Sequence, residues 1–397
     1  MSTKQQLDYS QDPHHDDHKL IVRKDAPFNA EPCPVDLVKN YITPEKYFFC
    51  RNHGPMPDIR EAEHTILVQG LGCDKPTTFT MKQLKEDYEK SSVMMVMQAC
   101  IFHYIACCAG NRRDGLHKVK HTKGVIWGPG ALGNAVYSGC RLRDILATVG
   151  VTTKIQNLQR LHVAFESVEQ CEEDKCYGSS IPLSKALDEF GDVLLAYEMN
   201  HSILTRDHGY PIRVVVPGYI GGRSVKYLKS ITIQDYESMS YYQRRDYKIL
   251  PESVCDEKQA DAYWCKVPSI GEYNVQSYVC NPSDGIHDGP KQNQTVQGYA
   301  LSGGGRCIQR VDVSGDDGNT WTTAQLHQPA AEGNNCRVWG WCLWSVSIAT
   351  KRNVRIVSRA VDSSGNVQQE YPVWNYRGVM NNSWRTVDPN SMEMSNI

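Results

Sequence analysis

From about residue 26 the hydrophobic and polar positions of this chain follow short, mixed patterns rather than one long period. "HTILVQG" (64–70) alternates and predicts a strand. "RLRDILATVG" (141–150) has apolar residues at helical spacing and predicts a short helix ending at Gly150. "DVLLAYEM" (192–199) and "IRVVVPG" (212–218) read as buried strands. No regular strand–helix–strand alternation appears, so the expected class is mixed α+β rather than a doubly wound parallel sheet.

The texture changes near residue 268. "IQRVDVSGDDGNTWTTAQL" (308–326) reads as strand, Asp-Gly turn, strand. "RVWGWCLWSVSI" (337–348) alternates, with Trp339, Trp341, Leu343 and Ser345 on one side; these residues suit either an exposed sticky face or a core. "NVRIVSRAVDSSGNVQ" (353–368) adds a strand and a Ser-Gly-Asn turn. Short alternating strands with regular turns predict an immunoglobulin-like β-sandwich. The expected organisation is a flexible tail over 1–25, an α+β domain over 26–267 and a sandwich over 268–397.

Composition narrows the function. The chain has 397 residues, 22% charged and 40% hydrophobic, with a formal net charge of −2. That balance gives no basic field for nucleic acid. No apolar run approaches the roughly 18 residues of a membrane span, and the N-terminal stretch lacks the apolar core of a secretory signal. The 15 cysteines therefore read as reduced thiols of an intracellular compartment, and the glycosylation-like triplets at Asn293 and Asn381 read as unused. His14, His15 and His18 with Asp16 and Asp17 form a metal-ligand-rich cluster, read as a solvated tail.

Chemistry concentrates in "ACCAGNRRDG" (106–115), where paired cysteines precede a Gly-Asn turn and two arginines. A thiolate suits a transition metal or a nucleophilic role; a buried structural cysteine beside a solvated arginine pair is the alternative. On an extended backbone Arg112 and Arg113 point to opposite faces, so one can hold an anion while the other holds a different group. "RNHGP" (51–55) and "RDHGYPIRVVVPGYIGGRSVK" (206–226) add His208, Arg213, Lys226 and a Gly-rich turn whose free N–H groups suit phosphate. Together they point to a phosphorylated, heteroatom-rich cofactor.

"CAGNRR" (108–113), "GVIWGPGALGNA" (124–135), "RDHGYPIRVVVPG" and "WNYRGVMNNSW" (374–384) resemble the molybdenum-cofactor domain of the sulfite oxidase family over residues 26–390, most of all its haem-free plant-type members. The resemblance implies a molybdopterin cofactor whose molybdenum takes one protein thiolate, here Cys108; Cys107 has no counterpart. It implies an anion pocket of Arg51, Arg113, Trp127, Tyr247 and Arg377. It also implies pterin and phosphate contacts from Phe49, Cys50, Arg51, Asn52, His53, Glu169, His208, Arg213, Ser224, Val225 and Lys226. Glu169 stands where most relatives carry Asp, and its extra methylene moves the carboxylate oxygens. The implied reaction is oxidation of sulfite to sulfate, with O2 or an external carrier as electron acceptor, and the implied assembly a homodimer built through the sandwich. No haem signature and no flavin domain are found. The C-terminal Ser-Asn-Ile is a weak version of a peroxisomal address; cytoplasm is the other compartment considered.

One departure stands out. "VMMVMQ" (93–98) looks like the family's strand before Cys-Ala-Gly-Asn-Arg-Arg, but "ACIFHYIAC" (99–107) intervenes. Nine apolar-rich residues beside a metal ligand overfill a packed site. Either the insert displaces "VMMVMQ" from the strand or it bulges out. We read it as a product of splicing or exon assignment, and expect weaker cofactor binding where it is translated. His103 within it reads as inert. The alternatives to a sulfite oxidase are an assimilatory nitrate reductase-type enzyme and a catalytically impaired isoform that keeps the fold.

Overall fold

The computed structural model describes residues 7–15, 19–98, 110–283, 291–329, 337–351 and 354–385. Cys108, Cys107, the inserted residues 99–107, His18 and the C-terminal Ser-Asn-Ile lie outside them.

The first domain packs short helices around three sheets, the mixed α+β architecture that the interrupted patterns predict. One sheet runs Ser202–Ile203, Leu194–Met199, Leu132–Arg141, Lys90–Gln98, with Arg213–Val215 added to the second strand. Another runs Thr77–Thr80, Thr65–Gly70, Leu228–Gln234, His162–Ser167, Gly178–Pro182, and contains one parallel pairing, Leu228–Gln234 with Thr65–Gly70. Helix Leu142–Thr148 buries Leu142, Ile145 and Leu146, an i, i+3, i+4 stripe. It closes at Gly150, whose φ of 94° favours a residue without Cβ.

Strand Lys90–Gln98 pairs with its neighbour in unbroken register from Lys90↔Cys140 to Gln98↔Leu132. Val93, Met95, Val96 and Met97 are buried. "VMMVMQ" therefore holds the strand, and the arrangement in which the insertion displaces it does not occur.

The N-terminal stretch corrects one expectation. Residues 7–15 and Leu20–Lys24 are not a loose tail. Leu20–Lys24 pairs with Asn29–Pro32, which in turn pairs with Cys50–Arg51. His15 stacks on Phe28 at 3.7 Å and pairs with Asp207 at 2.9 Å, and Asp12 accepts the Met56 N–H. Among the described residues no group of three metal-ligating side chains forms.

The second domain is a sandwich of a four-stranded sheet (Gln276–Asn281, Lys291–Leu301, Cys342–Thr350, Gln325–His327) and a three-stranded sheet (Thr322–Thr323, Ile308–Ser314, Val357–Asp362). Its core includes Val279, Val296, Val311, Val313, Cys342, Trp344 and Ile348. The face reading of the tryptophan-rich stretch is corrected. Cys342 and Trp344 point into the sandwich, while Trp339 and Trp341 precede the strand and join the core of the first domain. Trp339 donates to Asp192 at 2.8 Å and Trp341 to the Tyr41 carbonyl at 2.9 Å. Their indole N–H groups reach polar partners, so the rings are buried at the seam without orphaning a donor.

Arg112 is the second seam element. It sits at φ 63° as the N-cap of helix Arg113–Val119, so the divergence of the two arginines comes from a left-handed residue at a helix start, not from an extended strand. Its guanidinium donates to the carbonyls of Ser277 (3.4 Å) and Ser383 (2.5 Å) and lies over Tyr278. Asn381 clamps its carbonyl at 2.8 Å. We expect Arg112→Ala to destabilise the protein by about 2–4 kcal/mol, because two carbonyls lose a charged donor in a buried site; a lowered denaturant midpoint measures it.

Candidate molybdenum-cofactor site

A cavity of about 480 Å³ lies where the sheets of the first domain meet. Its wall includes Phe49, Arg51, His53, Glu169, His208, Arg213, Ser224 and Lys226, eight of the residues assigned to the cofactor from sequence. Short segments from distant parts of the chain supply them. Cys50–Arg51 closes the N-terminal sheet, the turn 205–210 carries His208, and the turn 221–226 carries Ser224 and Lys226.

Glu169 organises the floor. Its Oε1 accepts the backbone N–H of His53 (2.7 Å) and of Gly54 (2.9 Å), and its Oε2 lies 3.7 Å from His53 Nδ1. The longer side chain thus reaches the 53–54 turn. Burial raises the Glu169 pKa, but His53, Lys226 and the Gly54 N–H outweigh it and hold it at about 2. His53 falls to about 3 and His208 to about 4, chiefly through burial, so both rings are neutral at physiological pH. Burial also lowers Lys226 to about 8. Lys226 donates to the Asp207 carbonyl at 2.8 Å and to Asn52 Oδ1.

Three residues assigned to the cofactor stand behind the wall. Asn52 is fully buried; it donates to the Phe28 carbonyl and positions Lys226. Val225 serves through its carbonyl, which accepts the Val214 N–H. Cys50 faces a separate cleft beside His15 and Asp207. Conversely, Met97, Gln98, Tyr177 and Asp207 line the cavity and were not singled out from the sequence. Met97 and Gln98 end the "VMMVMQ" strand, a signal that was available.

The anion-pocket residues lie beyond Tyr177. Tyr177 stacks on His53 at 3.9 Å, and its hydroxyl lies 3.0 Å from that of Tyr247. Next to Tyr247, the buried Asp246 pairs with Arg377 at 2.5 Å. Burial pushes Asp246 well above the usual carboxylate range and Arg377 down to about 9, while the Arg51 guanidinium draws Asp246 back. Burial thus works against both charges of this pair. Arg113 donates to the carbonyls of Gly378 (3.1 Å) and Val125 (2.9 Å), which fixes it beside residue 377. Trp127 is fully buried, and its indole N–H has no partner. Asp246 went unread because nothing in "YYQRRDYK" marks one carboxylate as buried.

Arg51 Nε and Nη2, His53 Nε2 and His208 Nε2 are buried without partners at the cavity wall. Such donors call for an anionic, acceptor-rich ligand, and a pterin bearing a phosphate and a dithiolene fits them. The fold and this donor set define an α+β domain with a cavity suited to an anionic, acceptor-rich ligand, carrying a β-sandwich. The family model "Oxidoreductase molybdopterin binding domain" matches residues 53–242, and "Mo-co oxidoreductase dimerisation domain" matches 267–391. The chain belongs to the sulfite oxidase family. It is 40% identical to the sulfite oxidase of Arabidopsis thaliana over 96% of both chains. It is also 40% identical to the mitochondrial sulfite oxidase of Rattus norvegicus, over 96% of this chain and 67% of that one. The inducible NADH nitrate reductase 2 of Glycine max is 38% identical over 92% of this chain and 41% of its own length. Among solved structures, the sulfane dehydrogenase SoxCD from Paracoccus pantotrophus shares the fold, with a TM-score of 0.67 and 23% identity over 96% of this chain and 86% of that one.

The depressed pKa values carry a pH dependence. His53, neutral in the fold, loses stability as pH falls from 6.5, where the unfolded ring takes a proton, toward about 3. Glu169 contributes stability above 4.5 that disappears as pH falls toward about 2. Both act in the same direction, so acid destabilises the protein. In Glu169→Gln the limb between pH 4.5 and 2 is expected to flatten by about 3 kcal/mol, as read from urea midpoints at each pH.

Proposed function

We propose that this protein is a sulfite oxidase in which a molybdenum cofactor occupies the cavity and sulfite is held by Arg51 together with the arginines beyond Tyr177. When bound, the cofactor supplies the oxygen transfer and the two-electron redox step. The chain supplies charge and aim. Arg51, Arg113 and Arg377 neutralise the dianion, and the unpartnered Trp127 N–H offers a further donor. The observation that carries this reading is the surplus of buried guanidinium charge. Arg51, Arg112, Arg113, Arg213, Arg223 and Arg377 are buried in and against the first domain, with only Glu31, Glu169 and Asp246 as buried carboxylates among its described residues. A carbonyl satisfies a guanidinium donor without neutralising its charge, and the unpartnered Arg51 Nε and Nη2 at the cavity wall favour an anion there.

Cys108 is the proposed thiolate ligand. Its support comes from the fixed residues that follow it. Asn111 donates to Gln276 at 3.1 Å, and Gln276 donates to the cavity residue Gln98 at 3.2 Å. Gln98 and Asn111, the described residues on either side of the stretch that carries Cys108, are thus bridged beside the cavity. The sandwich is the proposed homodimer interface.

For the electrons we propose O2 as acceptor: sulfite, water and O2 give sulfate and hydrogen peroxide. The match to the Arabidopsis enzyme, 40% identical over 96% of both chains, supports this reading.

Sulfite-dependent ferricyanide reduction with metal analysis tests the core of the proposal. Cys108→Ser should lose activity by at least about 100-fold, the order expected for a missing metal ligand. Arg377→Met should keep its molybdenum while its KM for sulfite rises about 10- to 100-fold, since a charged contact to the substrate is worth about 1.5–3 kcal/mol. Nitrate reduction with no sulfite oxidation would reject the assignment. A peroxide-specific probe should record one hydrogen peroxide per sulfite consumed in air; full oxygen uptake without peroxide would reject O2 as the two-electron acceptor.

A further inference from the structure

A second reactive arrangement lies on the surface, away from the cavity. Lys120 Nζ is 2.7 Å from Cys255 Sγ, shorter than the nitrogen–sulfur contacts of 3.0 Å at Arg213–Met97 and Gln309–Cys307. Both residues are exposed, so a dissolved oxidant reaches them. Both are also held from the backbone. Lys120 is the C-cap of helix Arg113–Val119, its carbonyl accepts the Trp374 N–H at 2.9 Å, and its ammonium lies 4.6 Å from that ring centre. The Cys255 N–H donates to Gln259 at 2.8 Å, just ahead of helix Glu257–Ala260. Leu116, Leu250, Val254, Trp264 and Trp374 pack beneath the pair in one cluster. A nucleophilic sulfur and an amine are therefore pre-positioned, and the rigid frame removes most of the entropy cost of joining them.

We propose that Cys255 and Lys120 form a thiol-reversible S–N crosslink driven by hydrogen peroxide. The Cys255 sulfur attacks one peroxide oxygen, the O–O bond breaks and water leaves, giving a sulfenic acid. The Lys120 nitrogen then attacks that sulfur, the S–O bond breaks and a second water leaves. In sum, thiol, amine and hydrogen peroxide give a sulfenamide and two waters; sulfur is oxidised by two electrons and peroxide is reduced. Two equivalents of an added thiol reverse the reaction and leave as a disulfide. The link ties the end of the helix that begins at Arg113 to the segment packed against Trp374, three residues before Arg377.

The test treats the full-length protein with hydrogen peroxide and maps its peptides without reduction. The expected species joins the peptides containing residues 120 and 255 and weighs two hydrogens less than their sum. It disappears with dithiothreitol and is absent from Cys255→Ser and from Lys120→Arg, which retains the positive charge. Thermal unfolding gives a second measure: the midpoint should rise by several degrees in the wild type after peroxide, revert with dithiothreitol, and stay fixed in both variants. Cys255 recovered as a sulfinic acid, as a disulfide with another cysteine, or unmodified would overturn the proposal. A species one oxygen heavier, an S–O–N link, would overturn the S–N chemistry. Peroxide is added directly, so these outcomes are independent of the acceptor proposed for sulfite oxidation. A parallel sample given sulfite and air, with no added peroxide, reports on that acceptor separately.

Discussion

Buried positive charge is the constraint around which this molecule is arranged. Six guanidinium groups sit at 6% exposure or less in the first domain and its seam with the sandwich. An uncompensated buried charge is costly, and the chain meets that cost locally in two ways. Arg112, Arg113, Arg213 and Arg223 donate to backbone carbonyls, and Arg377 faces Asp246. Among the described residues of this domain the buried carboxylates are Glu31, Glu169 and Asp246. The cavity wall ends in buried polar atoms of Arg51, His53 and His208 without partners, which an acceptor-rich anion would suit.

The two domains meet through the same chemistry. Asn111 and Gln98 flank the stretch that contains Cys108, and the single side chain of Gln276, from the first strand of the sandwich, hydrogen-bonds both. Asn111 also donates to Tyr299, whose hydroxyl donates to the Pro129 carbonyl. Arg112 reaches Ser277 and Ser383, while Trp339 and Trp341 fill the opposite side of the seam. The sandwich therefore helps support the wall of the cavity. Asn381, one of the two glycosylation-like positions, is buried in this seam against Arg112, a place no glycan fits.

Much of this was legible in local pattern. The strand at 65–70 alternates because Ile66 and Val68 face the core, the strand at 194–199 is a near-continuous apolar run because both its faces are buried, and the helix at 142–148 buries one stripe. The tryptophans at 339 and 341 were misassigned to a strand face for a definite reason. Alternation reports which side of a strand a residue takes, but not where the strand begins, and here it begins at Cys342. Likewise the pairing of Leu20–Lys24 with Asn29–Pro32 is weak in sequence, since its burial is supplied by the rest of the domain and not by its own apolar residues.

By itself, the sequence determined the α+β-then-sandwich order, the donor-rich stretches and, through their resemblance to a family, the list of residues to examine. Those properties reside in contiguous residues, where spacing and residue type are sufficient. Tertiary structure alone decided which of those residues share a wall. It put Asn52 and Val225 behind the cavity, brought Tyr177 between His53 and Tyr247, and set Asp246 against Arg377 from 131 residues away. Charge compensation between buried groups depends on distance in space, and no local pattern along the chain encodes that distance.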